Sequence, residues 1–449
     1  MLLPKASARS AMPSEDQVGM RPLALGQVGC GGMGLRHVLG LIEAHRHGVS
    51  RFDLAALCDL NAAAARHVAD EAEKGLGRRP TVYTEFATML RQEPGLDAVN
   101  VVTDTRMHHR FAVEALDAGK HVAVEKPMAI TVRAGHIMAD AAKRAGKVMS
   151  ISENFRRDPL TRLAKAAIVA NLIGAPRFVL NLSLSGTRDV QQTTAWRHMK
   201  QRGGFLLDSA VHDADVTLYL AGPISAVTAE TDLWERRREM TVAGGRGSER
   251  MRQINDFYRH RIREDADAAE VIEATAEDAA FALLRFTSGA SGQFGFSIAT
   301  PGHPLDTFTI YGADGSLALP QNRTGRPLAL TPIGRAAPLS AADLLAELPC
   351  FRLDKTTSVL FGGEERIGAY SLSFAEIDRK LIAIELADFG DAILEGRQPE
   401  IEGEAGIDAL AFVYAILESG HARRPVNFTD VAGDRINTYQ QEINASVGL

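Results

Sequence analysis

The stretch Leu23-Ala24-Leu25-Gly26-Gln27-Val28-Gly29-Cys30-Gly31-Gly32-Met33-Gly34 decides how the first part of this chain is read. An apolar strand pattern covers 23–28, a glycine turn follows, and residues 33–45 are helix formers whose apolar positions suit the face of a sheet. In such a strand, turn and helix the glycines have separate duties. Gly29 permits the sharp bend, Gly31 lets a pyrophosphate approach the backbone, and Gly34 lets helix and strand pack closely. Gly32 and Met33 sit at the helix start, where free amides meet phosphate charge. The glycine pattern alone is a weak signal; its flanking strand and helix make it a dinucleotide cradle.

The same order repeats downstream. A strand at 52–58 ends at Asp59, an alanine-rich helix covers 62–73, and strands at 98–102, 121–125 and 148–152 alternate with helices at 107–116 and 132–145. Short buried strands alternating with helices require a mostly parallel sheet covered on both faces. Past a helix at 159–170 the pattern changes to alternating stretches at 177–184, 280–286, 291–297, 307–311 and 316–319, separated by glycine-containing turns. The expected fold is α/β plus α+β. A Rossmann dinucleotide-binding domain over 21–153 follows a flexible tail at 1–20, and a substrate-binding and oligomerisation domain over 154–449 carries a large, mostly antiparallel sheet covered by helices. Amphipathic helices at 376–394 and 406–417 either pack on that sheet or return to the first domain. An insertion near 235–270, with Arg236-Arg237-Arg238, reads as solvated because acidic residues interrupt the basic run. A second, near 326–363, reads as a peripheral elaboration or an oligomer contact.

Composition narrows the function. A chain of 449 residues can support two packed cores, and a formal charge of −6 gives no broad attraction to nucleic acid or to an anionic membrane. Its three cysteines, Cys30, Cys58 and Cys350, form no zinc or disulfide framework, so no metal is expected and a reducing compartment fits. The first residues lack the apolar stretch of a secretory signal, and no segment approaches 18 uninterrupted apolar residues, which together predict a cytoplasmic protein.

Asp59 lies 25 residues beyond Gly34, directly after the second strand, where a carboxylate accepts hydrogen bonds from an adenosine ribose and repels a ribose phosphate. The competing reading is a cap for the helix that follows Asn61. The first favours NAD over NADP, and the nearby Arg66 works against that preference. Thr103, Asp104 and Thr105 follow the strand at 98–102, on the edge where a parallel sheet meets its ligand, and border the nicotinamide side. His108 has either a cofactor or helix-start role or ordinary solvent exposure, while His109 faces another direction. Glu125 either binds the nicotinamide ribose or holds Lys126.

In His121-Val122-Ala123-Val124-Glu125-Lys126-Pro127, Lys126 comes immediately after a strand, and proline restricts the chain that carries it. Asp208 and His212, four residues apart, fall on one face of a helix, so that one orients or polarises what the other protonates. An ordinary histidine titration range would suit His212 to acid–base work. Asp213 and Asp215 point elsewhere and read as solvated or structural. Glu153, Asn154, Arg156 and Arg157 form a polar group after the strand at 148–152, with Asn154 and Arg156 as candidate substrate contacts. Trp196 and Arg197 supply an apolar wall and an anion contact, or else a core aromatic and a surface salt bridge.

With these residues in view, the chain resembles the glucose-fructose oxidoreductase, inositol dehydrogenase and rhizopine-catabolism protein family over about residues 22 to 425. The glycine turn, Thr103 through His108, Gly119-Lys120-His121-Val122, Glu125-Lys126-Pro127 and Gly203-Gly204 followed by Asp208 and His212 carry the resemblance. It implies that Lys126 orients the reacting hydroxyl, that Asp208 fixes a sugar or cyclitol, that His212 is the general base of oxidation, and that a cis peptide precedes Pro127. It also implies a homodimer or homotetramer formed through the second-domain sheet. Asp104 stands where the family often has proline, and Ala210 where glycine is common. The leading expectation is an NAD-dependent oxidoreductase acting on a secondary hydroxyl of a sugar, glycoside or cyclitol. Two rivals remain: an NAD-assisted lyase or glycosidase with transient oxidation and re-reduction, and a non-catalytic dinucleotide-sensing regulator.

Overall fold

The computed structural model describes residues 21–190, 194–239 and 271–449; the expected tail at 1–20 and most of the charged insertion lie outside them. The chain first builds a parallel sheet from β1 (Leu23–Val28), β2 (Phe52–Cys58), β3 (Thr81–Tyr83), β4 (Ala98–Val101), β5 (His121–Glu125) and β6 (Met149–Ser152). Between them run α1 (Gly32–Arg46), α2 (Ala62–Leu76), α3 (Phe86–Gln92), α4 (Thr105–Asp117) and α5 (Val132–Ala145). The order β3-β2-β1-β4-β5-β6 puts β1 beside both β2 and β4, so the chain reverses direction across the sheet at that point. A crevice opens there at the carboxyl ends of the strands, the place where such sheets bind ligands. All four residues of β4 are buried, as expected of a strand paired on both edges and covered on both faces.

Asn61 caps α2 and Thr131 caps α5 through side-chain oxygens, each satisfying amides that a helix leaves unpaired. No side chain caps α1, and its first turn carries no acidic residue. Its amides therefore face the crevice without competition from a carboxylate. The short β3 and α3 lie in a stretch for which the sequence pattern gave no element, because three residues of strand are too few to establish a period.

After α6 (Pro159–Val169) the chain forms β7 (Pro176–Leu184), α7 (Gly204–Ala221), β8 (Ile224–Asp232), β9 (Arg237–Glu239), β10 (Val271–Glu273), β11 (Ala279–Phe286), β12 (Ser291–Ser297), β13 (Leu305–Gly312), β14 (Gly315–Leu319) and β15 (Ala329–Pro332). It continues through α8 (Ala341–Glu347), α9 (Lys355–Leu360), α10 (Phe374–Glu395), α11 (Gly403–Ala422), β16 (Val426–Asn427), α12 (Phe428–Ala432) and α13 (Gln441–Ser446). The second sheet runs β15-β14-β13-β7-β12-β11-β8-β16 and is antiparallel except between β7 and β12. Helices α7 and α11 cover one face, where Phe294 meets Phe412 edge-on with ring centroids 5.2 Å apart. Strand alternation turns Phe178, Leu283, Leu305 and Tyr311 to the other face, and all four are exposed.

Of the two late helices, α11 packs on α7 and β8 and also reaches α5, whereas α10 returns to the first sheet's helix α1. Two ion pairs tie α10 down, Arg36 with Asp378 through Nε at 2.8 Å and Lys380 with Glu43 at 2.9 Å.

Two readings of the sequence are corrected. The segment 326–363 is not peripheral: Leu328, Leu330, Leu339, Leu344 and Leu348 join the main core, and Leu360 packs with Ala44 and Val49. Hydrophobic burial thus draws in a segment whose leucines follow no single period. The basic run is likewise not wholly solvated. Arg238 is fully buried, donating to Asp278 Oδ2 at 2.8 Å and to the carbonyls of Thr187 and Asp189 at 3.0 and 3.2 Å. An unpaired guanidinium there would cost several kcal/mol, and Asp278 supplies the counter-charge.

Candidate active site

The crevice is built by backbone before any side chain takes part. Gly29 has φ +100°, a conformation natural to glycine, and a Cβ on it would overlap the Val102 carbonyl at the end of β4. A Cβ on Gly34 would overlap the Gly29 carbonyl, so helix α1 could not approach β1. Gln27 braces this turn from below, donating to the carbonyls of Gly29 and Gly34 at 3.0 Å each. The turn with its uncapped helix start fits a dinucleotide pyrophosphate. Gly31, Gly32 and Met33 line the approach, partly buried in the first two positions of the helix and just before them.

Asp59 stands at the end of β2. Its Oδ2 accepts from the Cys30 amide at 2.7 Å and its Oδ1 from the Asn61 amide at 2.8 Å, so the carboxylate is pinned beside the turn. Asn61, not Asp59, caps α2. Each Asp59 oxygen keeps a lone pair for a ribose hydroxyl.

On the nicotinamide side Thr103 is partly exposed, Thr105 is buried in the first turn of α4, and Asp104 caps that helix by accepting from the Arg106 amide at 3.1 Å. Asp104 also pairs with Arg202 from the second domain. Its carboxylate is spent on the cap and the inter-domain pair, which corrects its assignment as a cofactor contact. His108 is corrected for a similar reason. It is buried, with Nδ1 3.0 Å from the Pro127 carbonyl and Nε2 3.2 Å from the Thr103 carbonyl, so it ties α4 to the turn carrying Lys126.

The Lys126–Pro127 peptide is cis. Lys126 Nζ reaches across the domain junction to the Asp208 carbonyl at 2.7 Å and to Asp208 Oδ1 at 3.5 Å. Arg197 holds the other carboxylate oxygen, donating from Nε at 2.7 Å. Burial works against ionisation of Asp208, but the Arg197 and Lys126 charges outweigh it and hold the carboxyl well below its usual range. Arg197 also donates to Thr194 Oγ1 at 2.7 Å, and Trp196 lies against its guanidinium at 4.4 Å. The expected anion contact is therefore Asp208's partner.

Asp208 and His212 lie one turn apart on α7, as their spacing predicted, but they do not bond each other. His212 Nδ1 is bonded to Glu153 Oε1. Phe155 stacks on the imidazole with ring centroids 4.1 Å apart and planes 4° from parallel. Burial, with Lys126 and Arg323 nearby, holds the ring well below the usual imidazole range, so it is neutral near pH 7. Glu125 belongs to a separate chain of contacts: its Oε1 lies 3.1 Å from His37 Nε2, His37 Nδ1 meets Asn100 at 3.0 Å, and Asn100 donates to Gln27 Oε1 at 3.2 Å. The carboxylate next to Lys126 is thereby linked to the brace under the glycine turn.

Among the substrate candidates, Asn154 is buried beside this group with its Oδ1 free of any hydrogen bond, an acceptor available to a ligand hydroxyl. Arg156 is corrected: it grips buried Asp215, with Nε at 2.8 Å, and lies 5.1 Å from the Tyr219 ring centroid, so both residues are structural. Arg323, which the sequence reading passed over, stacks on Phe155 and Phe374 at 4.9 Å each and donates to Asp378 at 3.2 Å. It comes from the loop after β14 at positive φ, and nothing in its local sequence announces the site.

Residues 23–153 match the oxidoreductase family with an NAD-binding Rossmann fold, and residues 161–318 match the GFO/IDH/MocA C-terminal domain. The chain belongs to the Gfo/Idh/MocA oxidoreductase family. NAD is the cofactor of that Rossmann fold, and the cradle described above suits it. Within the family the chain is 30% identical to levoglucosan dehydrogenase of Pseudarthrobacter phenanthrenivorans over 51% of its own length and 57% of that protein's. It is 26% identical to 1,5-anhydro-D-fructose reductase of Ensifer adhaerens over 80% and 87%. The chain thus spans little more than half of levoglucosan dehydrogenase and most of the reductase. In three dimensions it matches an NAD-binding oxidoreductase from Klebsiella pneumoniae at 25% identity and a TM-score of 0.71, covering 91% of this chain and 99% of the other. Among the described residues no group of three His, Cys, Asp or Glu side chains could hold a metal ion, and no helix is long and apolar enough to cross a membrane.

Proposed function

We propose that this family member is an NAD-dependent dehydrogenase that oxidises a secondary hydroxyl of a sugar, glycoside or cyclitol, with His212 as acid and base and Lys126 orienting the hydroxyl. The observation that carries this reading is the convergence of Lys126, Asp208 and His212 at the domain junction, where Lys126 Nζ reaches Asp208 and His212 lies one turn along the same helix. The family's carbohydrate-related relatives support the substrate class.

Gly31 and the amides at the start of α1 would hold the pyrophosphate, and Asp59 would hold the adenosine ribose and repel the 2′-phosphate of NADP. NAD, when bound, accepts the hydride that leaves the substrate carbon. The chain's own work is to handle the proton. Lys126 places its ammonium by the reacting oxygen and stabilises negative charge as it develops, Asp208 and Asn154 orient the remaining hydroxyls, and His212 receives the proton. In ketone reduction His212 returns it.

The test is absorbance of reduced nicotinamide while the protein is supplied with NAD or NADP and a panel of inositols, free sugars and glycosides. A substrate-dependent rise, larger with NAD, is expected. Product formation without net NADH would move the assignment to transient-redox elimination. We also propose that a second copy covers the open sheet face around Phe178, Leu283 and Tyr311, giving a homodimer or homotetramer. Light scattering is expected to give at least twice the 48.4 kDa chain mass, and a monomer at micromolar concentration would refute it.

A further inference from the structure

The residue bonded to the catalytic imidazole is not the aspartate one helical turn away but Glu153, at the end of β6. Glu153 is buried and is fixed from behind by the Phe155 amide, which donates to its Oε1 at 3.3 Å. Phe155 itself fixes the plane of the His212 ring. The tripeptide Glu153-Asn154-Phe155 therefore grips the histidine by one edge and one face, leaving Nε2 as the edge that can meet a substrate. Asp208 cannot take this part, because its carboxylate is engaged by Arg197 and Lys126.

We propose that Glu153 is the positioning residue of the reaction: its carboxylate selects the His212 tautomer and shares the proton that the reaction delivers. This rests on His212 being the acid and base. When Glu153 is ionised it accepts from Nδ1–H, and Nε2 presents a lone pair. The substrate O–H proton then passes to Nε2 as the C–H electron pair leaves with the hydride. The pair now carries one extra proton, which it releases to solvent before the next turnover. When the pair already holds that proton at neutral net charge, Glu153 as the acid donates to Nδ1 and Nε2 carries the hydrogen, the form that protonates a ketone oxygen. One protonation step therefore separates the oxidising form from the reducing form.

Burial pushes the Glu153 carboxyl up to about 7, with Lys126, the Phe155 amide and Arg156 opposing and Glu125 adding to the rise. Around His212, Lys126 and Arg323 disfavour its protonated form, while Glu125 and Asp208 favour it. Buried Glu385 on α10 also senses Glu153, and burial pushes its own carboxyl well above the usual range. Oxidation should therefore rise with pH through about 7 and reduction fall.

The test is Glu153→Gln, with Glu153→Asp as the rescue and His212→Asn as the reference. Nitrogen NMR of histidine-labelled protein, with the His212 resonances identified by their loss in H212N, should show the Nδ1–H tautomer above pH 8 in the wild type and a mixture in E153Q. With NAD and the panel member that turns over fastest, E153Q should lose about 10²-fold in kcat with KM unchanged, and its acid limb near pH 7 should vanish. E153D, which keeps the carboxylate, should restore the limb. An E153Q protein with the wild-type tautomer and an unchanged pH profile overturns the proposal. If E153Q does not fold, a wild-type His212 that is not Nδ1–H above pH 8, or an E153D profile without the limb, overturns it as well. Full activity in H212N would instead remove the acid–base reading itself, an outcome distinct from failure at Glu153.

Discussion

Replacing His212 by asparagine should lower kcat for oxidation by about 10² to 10⁴-fold, the usual contribution of a positioned general base. Asparagine keeps a polar group at the position and can still bond Glu153, so the fold should survive. Its amide cannot accept the hydroxyl proton at neutral pH. NAD affinity should stay within a few-fold of the wild type, because the pyrophosphate cradle is formed by β1 and α1 and His212 stands on α7. Steady-state kinetics alongside a calorimetric NAD titration separates the two quantities. A variant retaining more than about a tenth of wild-type kcat lies outside the range for a general base and would assign that role elsewhere.

Gly29→Ala should have the opposite signature. At φ +100° an L-residue is strained by about 1 to 3 kcal/mol, and the added methyl would also meet the backbone carbonyl of Val102, which no rotamer change can move aside. Relief requires β1 and β4 to separate where the cofactor binds. Thermal unfolding should shift down by several degrees, and NAD binding should weaken by more than about tenfold, which corresponds to 1.4 kcal/mol. Wild-type NAD affinity in G29A would show that the turn relaxes without widening the crevice. Alanine at Gly48, also at positive φ but with open space around it, should lower stability without touching NAD binding.

Sequence alone determined the two-sheet architecture and pointed to the residues that meet at the candidate site. The glycine turn, the strand before it and the helix after it are contiguous, and the spacing of Asp208 and His212 is a helical period, so local geometry sufficed to read them. It also reached Lys126, because Asp208 and His212 downstream gave a role to a lysine that its own strand end left ambiguous. What it misjudged was partnership. Asp104 and Arg156 are polar residues near the site by sequence, yet each spends its charge on Arg202 or Asp215, an ion pair closed only by folding. Arg238 looked solvated until the buried carboxylate of Asp278, 40 residues on, came to meet it.

Only the tertiary structure decided which acid holds His212. Asp208 is four residues away along one helix, while Glu153 is 59 residues away on another element. Helical spacing brings two side chains to the same face, but it does not say which of them will have a free lone pair once the rest of the chain has packed. Arg197 and Lys126 claim Asp208, and the end of β6 delivers Glu153 into the place left open. Periodicity is a property of neighbours in sequence, whereas the pairing of buried charges is settled by whatever desolvated groups the whole fold brings together.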